Sequence, residues 1–275
     1  MSWRGQPGVT ESNYLLFLAS LFVTTLNLMR IVSLAPSNTE ILYSLGLEDK
    51  IVGVTAFCDY PEEARAKPKI GDWAHSHVEN ILALKPDLVF TSSIVQEASK
   101  EVFKNLPFRH VHLDPRNLEE VFESIRTIGE ATEVLIVTMR NQIDGLVKTV
   151  YPSTNVPRVY IEEWHQPPMI SGNWVPDMVR LAGGKYGLMN KGEVSRVVTT
   201  EEITAYDPEI AILSLCGYGE RPKPELIITR PGWEDISAVR NRRVYVVNDT
   251  FLNRPGPRLV EGLRRLIRII QQPSA

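Results

Sequence analysis

The sequence predicts an α/β protein of two lobes, each on a mostly parallel sheet, joined by one long helix with a ligand cleft between them. Three observations carry this. Strand-like and helix-like segments alternate along nearly the whole chain, the pattern of parallel sheets covered on both faces. A stretch starting at Glu79 (ENILALKPDLV) recurs from Glu201 (EEITAYDPEIA), so helix, proline break, acidic residue and strand coincide, with Glu79 opposite Glu201 and Pro86 opposite Pro208. Between the copies lies TEVLIVTMRNQIDGLVKTV, with apolar side chains at Leu135, Ile136, Met139, Ile143, Leu146, Val147 and Val150. Steps of three and four mark one apolar stripe on a helix. The predicted boundaries are 1–29 for a leader, 30–131 for the first lobe, 132–151 for the spanning helix and 152–275 for the second lobe.

In chain order, 30–35 reads as a buried strand. Ser37 or Asn38 can cap a helix over 39–45, with Gly46 closing it. A second strand covers 51–54. The long loop 55–73 carries aromatics, a cysteine and aspartates, and a loop of that length is usually functional or disordered. Ser76 and Glu79 have capping-box spacing. A helix to Leu84 stops at Lys85-Pro86, a strand covers 87–91, a helix 96–105 and a strand 110–113. Asn117 and Glu120 open an amphipathic helix to Gly129. Pro152 ends the spanning helix. The pattern then restarts with a strand over 158–162, a loop over 163–173, a helix over 174–182 stopped by Gly183-Gly184, a helix over 201–206 capped by Thr199 or Thr200, and a strand over 209–213. A strand over 243–247 and an amphipathic helix over 257–270 close the chain.

The 275 residues carry a net charge of -3, which offers no basic stripe for nucleic acid. Two cysteines, Cys58 and Cys216, give neither a disulfide framework nor a metal knuckle; a bond between them would lock the lobes and is not expected. The apolar run 14–28 has signal-peptide length and is short for a membrane span. It reads as an export signal or anchor, or as an extension upstream of a start at Met29.

No GxSxG elbow, P-loop or HExxH motif is present, and no catalytic residues are assigned. Gly183-Gly184 and Gly217-x-Gly219 do not make a phosphate loop. Among the histidines, His75 and His77 sit at a helix start, and His110 and His112 alternate on a strand as surface or satisfied polar residues. His165, in a cleft loop, is the best single ligand candidate. Converging ligands for a metal cannot be assembled, so no metal site is assigned. The aromatics Tyr60, Trp73, Trp164, Trp174 and Phe251 fall at loops or helix starts near strand carboxyl ends, where α/β sheets bind ligands. Cys58 and Cys216 follow strands in opposite lobes, as cleft-wall residues or as small buried hydrophobes. Trp233 reads as packing. Glu79 and Glu201, at helix N-termini, are favoured there by the helix dipole and, being repeat equivalents, can serve as paired docking acids.

RIVSLAPSNTEILYSLGL, FCDYP, GDW, VENILALKPDLVF, SGNWVPDMVRLAGG and RPGPRLVEGL resemble, in order, the cobalamin-binding proteins of ABC importers. These belong with ferric-siderophore and haem binders in the helix-hinged periplasmic binding-protein class. The resemblance covers about 30–270. It implies two Rossmann-like lobes and a non-enzymatic protein, a monomer, that captures cobalamin or a related corrinoid, with no covalently held cofactor, and delivers it to an ABC permease dimer from a periplasmic or membrane-anchored extracytoplasmic position. It implies Tyr60 and Trp73, Trp164 and Trp174, and the loop at Arg254 as pocket residues, and Glu79 and Glu201 as contacts to permease arginines. The alternatives are a ferric-siderophore or haem ligand, and a cytoplasmic corrinoid-handling protein or enzyme beginning at Met29.

Overall fold

The computed structural model describes residues 29–72, 77–129, 133–151 and 156–272. Trp73, His75, the Ser76 cap, the 1–28 run and the first residue of the predicted spanning helix lie outside the described residues.

The first lobe is a four-stranded parallel sheet, ordered β2-β1-β3-β4, of β1 Ile31–Ser33, β2 Ile51–Val54, β3 Leu88–Ser92 and β4 Arg109–Leu113. Strands β1, β2 and β3 are largely buried on both faces, and β4 forms a more open edge. Ile31 and Phe90 join one apolar cluster while Val32 and Val89 join another with Ile81 and Phe103, the two-residue period of a strand. Helices α1 Pro36–Ser44, α2 Val78–Ala83, α3 Ser99–Phe103 and α4 Leu118–Ile128 cover it. Asn117 caps α4 as predicted: its side chain accepts from Glu120 N at 3.1 Å, and Glu120 Oε2 accepts from Arg116 N.

The second lobe has five strands in the order β7-β6-β5-β8-β9: β5 Val159–His165, β6 Pro168–Ile170, β7 Arg196–Val197, β8 Ile210–Leu213 and β9 Val244–Val246. β5, β8 and β9 are parallel, whereas β6 pairs antiparallel with β5 and with β7. The predicted loop 163–173 is therefore a hairpin turned at Gln166-Pro167. Prolines and a tryptophan suggested a loop, yet Pro167 lies in the turn and Pro168 is the first residue of its strand, a position that tolerates proline. Gly172 permits the close approach beyond it, since a Cβ there would stand 2.3 Å from Glu193 O. The predicted helix over 96–105 also divides, into a 3-10 turn Ile94–Gln96 and α3.

The repeat extends to backbone geometry. α2 is followed by Lys85 at φ 45° and Pro86; α7, Thr200–Tyr206, is followed by Asp207 at φ 46° and Pro208. In the first lobe Arg30 N donates to Asp87 and the Arg30 guanidinium to Leu84 O. In the second, Arg158 N donates to Glu209 and its guanidinium to Asp207 O. The same left-handed step thus carries each helix into an inner strand of its sheet, β3 in the first lobe and β8 in the second.

The spanning helix α5, Glu133–Val147, has 15 residues; hydrogen-bonded turns continue it to Val150. It ends before the predicted boundary at 151, and its 15 residues span about 22 Å at 1.5 Å per residue. Ile136, Met139 and Ile143 are buried along the predicted stripe. α5 packs on α4 of the first lobe and on the closing helix α10, Leu259–Ile270. One continuous apolar core consequently runs from Ile31, Ile41 and Phe90 through Ile136 and Met139 to Ile161, Leu263 and Ile267. Because this core crosses both lobes, Met139→Ala should lower stability by about 2–5 kcal/mol and shift a single cooperative denaturation transition. Two transitions, only one of them moved, would show that the lobes melt independently.

Candidate ligand cleft

The two lobes meet where their strands end. Arg254 reaches from the second lobe to Glu40 on α1 at 2.9 Å and to Asp59 at 2.7 Å, and Arg258 lies 3.5 Å from the same Glu40 oxygen. Glu40 is 3% exposed. Burial pushes its carboxyl above the usual range against the pull of Arg254 and Arg258. Burial also acts upward on Asp59, but the Arg254 hydrogen bond and charge outweigh it and Asp59 sits low. Arg254, predicted as a ligand contact, is thus engaged in bridging the lobes. Arg258 stacks 4.1 Å from the Tyr60 ring and 4.6 Å from Phe251, and Arg265 lies 4.3 Å from Phe251 on α10. Gly262 lets α10 approach the turn that presents Phe251, for a Cβ there would meet Phe251 O at 2.1 Å. Tyr60 keeps 47% of its surface exposed, and Phe57 beside it 50%.

The second-lobe wall is built on a buried ion pair. Glu162 is fully buried and accepts both terminal nitrogens of Arg230 at 2.7 Å and Tyr160 OH at 2.8 Å. His165 Nδ1 lies 2.8 Å from the Arg230 guanidinium and 3.2 Å from Glu162 Oε1, so the ring is held against both members of the pair. Arg230 lies 4.3 Å from Trp233, which is 1% exposed and acts as the predicted packing residue. Beside this cluster opens a cavity of about 810 Å³ lined by His165, Gln166, Tyr218, Arg221, Lys223 and Arg230, among others. Trp164, 42% exposed, meets Tyr218 edge-on at 6.4 Å and is tethered by its indole N–H to Gln166 O.

Tyr218 was not anticipated. Its signal is Gly217-x-Gly219, considered above only as a phosphate loop. Both glycines have positive φ, 79° and 60°, and both N–H groups donate to Asp249. The carboxylate pins a tight turn that presents the ring. Glu40, Arg230 and Phe57 were also not singled out.

Two predicted wall residues, Trp174 and Cys58, lie in the core instead, while Cys216 is half-buried. Trp174 is 7% exposed and donates its indole N–H to Leu252 O at 2.7 Å, so it plugs the core beneath the cleft at the start of α6, Val175–Leu181. Cys58 is fully buried, its thiol against Thr39 and Thr55 at 3.2 and 3.3 Å, and burial raises its pKa. Cys216 meets Asn253 Nδ2 at 3.2 Å and is pushed up to about 12 by burial, then by Glu163. Both cysteines are free thiols. Glu79 and Glu201 are exposed in the first turns of their helices. Thr199 and Glu202 form a capping box beside Glu201.

Two lobes with aromatic walls, bridged by a shared core and an ion-pair cluster, have the architecture of a solute-binding protein. The chain belongs to the periplasmic binding protein family, whose family model matches residues 31–250. It is 33% identical over 258 residues to an uncharacterized ABC transporter substrate-binding lipoprotein, YvrC, of Bacillus subtilis, covering 88% of this chain and 79% of that protein. It is 27% identical over 265 residues to the vitamin B12-binding protein of Vibrio cholerae, covering 92% and 93%. Among solved structures, a possible iron-binding (periplasmic solute-binding) protein of Staphylococcus epidermidis aligns with a TM-score of 0.76 and 28% identity, covering 88% of this chain and 98% of that one.

Glu163, at the cleft end of β5, supplies a pH test. Burial raises its pKa from 4.5 to about 6, against hydrogen bonds from Ser195 and Ser171. A carboxyl raised in the folded state stabilises below its unfolded pKa and loses that contribution as pH rises through the folded one. Relative to Glu163→Gln, the wild type should lose about 2 kcal/mol of stability between about pH 4.5 and 6.5. Parallel stability curves for the two proteins would contradict the assignment.

Proposed function

We propose that this protein captures cobalamin or a related corrinoid between its lobes and passes it to an ABC permease, outside the cytoplasm, without chemical change. The observation that carries the reading is the set of exposed rings at strand ends: Tyr60 and Phe57 on one lobe, Trp164 and Tyr218 on the other. Each second-lobe ring is fixed by a local hydrogen bond or turn, so little side-chain entropy is lost on binding. Covering several hundred Å² of ligand at about 25 cal/mol per Å² supplies several kcal/mol before ordering costs. The vitamin B12-binding relative, matched over nearly its full length, supports this ligand class, and the lipoprotein relative supports an extracytoplasmic location. No described helix is long and apolar enough to cross a membrane.

The second reading is an anionic ferric chelate or haem. It is favoured by Arg221 and Lys223 on the cavity wall, where Arg221 spends its N–H groups on Gly217 O and Tyr218 O rather than on a carboxylate. Glu79 and Glu201, exposed in the first turns of repeat-related helices, are read as paired contacts to arginines of a permease dimer.

Cobalamin should quench tryptophan fluorescence and bind with sub-micromolar affinity. Trp164→Ala should weaken it about tenfold or more, ~1.4 kcal/mol. In the same series, Glu79→Lys with Glu201→Lys should leave that affinity intact and abolish uptake. No calorimetric heat with cobalamin or cobinamide, alongside tight haem or ferric-siderophore binding, would replace the first reading with the second.

A further inference from the structure

At the carboxyl ends of β3 and β4, one buried histidine nitrogen lacks a hydrogen-bond partner. His112 has a side chain only 4% exposed. Its Nδ1 meets Thr91 Oγ1 at 2.9 Å, and the same hydroxyl meets His110 Nε2 at 2.7 Å. Ser99 gives its hydroxyl hydrogen to Gln96 O at 2.6 Å and lies 3.3 Å from Thr91 Oγ1. Thr91 has one hydrogen to give, and it is itself fully buried. If it donates to His110, then His112 Nδ1 donates to it and Nε2 presents a bare lone pair. If it donates to His112, then Nε2 carries hydrogen. In both arrangements Nε2 is buried without a hydrogen-bond partner, a state that costs free energy unless something fills it.

The group facing that nitrogen is acidic. Glu97 Oε2 lies 3.2 Å from His112 Nε2, outside hydrogen-bond geometry. One ligand atom each from Glu97, His112 and Asp114 falls within 4.8 Å of the others. Lys100 holds the other Glu97 oxygen at 2.8 Å, and Arg116 pairs with Asp114 Oδ2. The imidazole side is closed, whereas Glu97 is half-exposed and leaves a path from solvent. The ring is pre-oriented through Thr91, the kind of outer contact that fixes the tautomer and direction of a metal-bound histidine.

We propose that His112, Glu97 and Asp114 bind one divalent transition-metal ion of the zinc class. One imidazole nitrogen and two carboxylate oxygens suit zinc, cobalt or manganese better than calcium or magnesium, and three protein ligands leave a coordination position for water. The ion fills the space next to Nε2 and draws Glu97 and Asp114 away from Lys100 and Arg116. The strand alternation that placed His110 and His112 on one face is what builds the site: His110 orients and His112 ligates.

The test uses the full chain, stripped with chelator and titrated calorimetrically with zinc sulfate alone. Wild type should take up one zinc per chain with a rise in melting temperature, excess magnesium should not compete, and cobalt(II) should give visible absorption bands. Glu97→Gln and Asp114→Asn, on the solvent side of the site, should each weaken zinc about tenfold or more and lose the melting shift. His112→Asn should abolish both if its circular dichroism matches wild type. Absence of zinc uptake by wild type, or unchanged stoichiometry and affinity in Glu97→Gln and Asp114→Asn, would overturn the proposal.

Discussion

The arrangement of the cleft depends on one guanidinium. Arg254 lies between Glu40 of one lobe and Asp59 beside Tyr60, while Arg258 pairs with the same Glu40 and stacks on Tyr60. Glu40 is nearly inaccessible to water, and a buried carboxylate is tolerated only when paired, because desolvation costs several kcal/mol per ion. The two arginines supply that pairing from the opposite lobe. Separating the lobes would therefore strand a buried charge as well as expose apolar surface. The ion pair fixes the mouth of the cleft, and the continuous core through α5 and α10 fixes its back. Hinged domains usually close by large changes at a few loop residues; here a packed helix and a charged clamp oppose such motion, and recognition rests on a preformed surface.

That surface is organised from beneath by buried polar groups. Asp249 holds both glycine N–H groups around Tyr218. Glu162 and Arg230 set the position of His165. Trp174 ties α6 to Leu252, next to the turn that carries Phe251. Tyr218 thus sits on a turn whose own hydrogen bonds are internal, which keeps the ring in place before a ligand arrives.

The sequence made the lobes legible because their signals are local. A proline, an acidic residue and a helical stripe at matching intervals reveal the repeat, and the structure extends it to paired left-handed steps at Lys85 and Asp207. The cleft was only partly legible. Tyr60 and Trp164 stand exposed as expected, but Trp174 is a plug, and nothing in a short window distinguishes a tryptophan that lines a loop from one that fills the space under it. The hairpin at Gln166-Pro167 hid behind prolines that a turn and the first position of a strand accept. The Arg254–Glu40 clamp joins residues 214 positions apart, a separation at which no periodicity speaks. Tyr218 could have been found had the flanking glycines been read as the frame of a displayed ring.

The most direct measurement is a crystal structure of the protein with cobalamin bound. A preformed cleft predicts the corrinoid against Tyr60 and Trp164, with Arg254 still bonded to Glu40 and Asp59 and the lobes superimposing on their present positions. A ligand seated elsewhere, or lobes rotated with the Arg254 contacts broken, would contradict it.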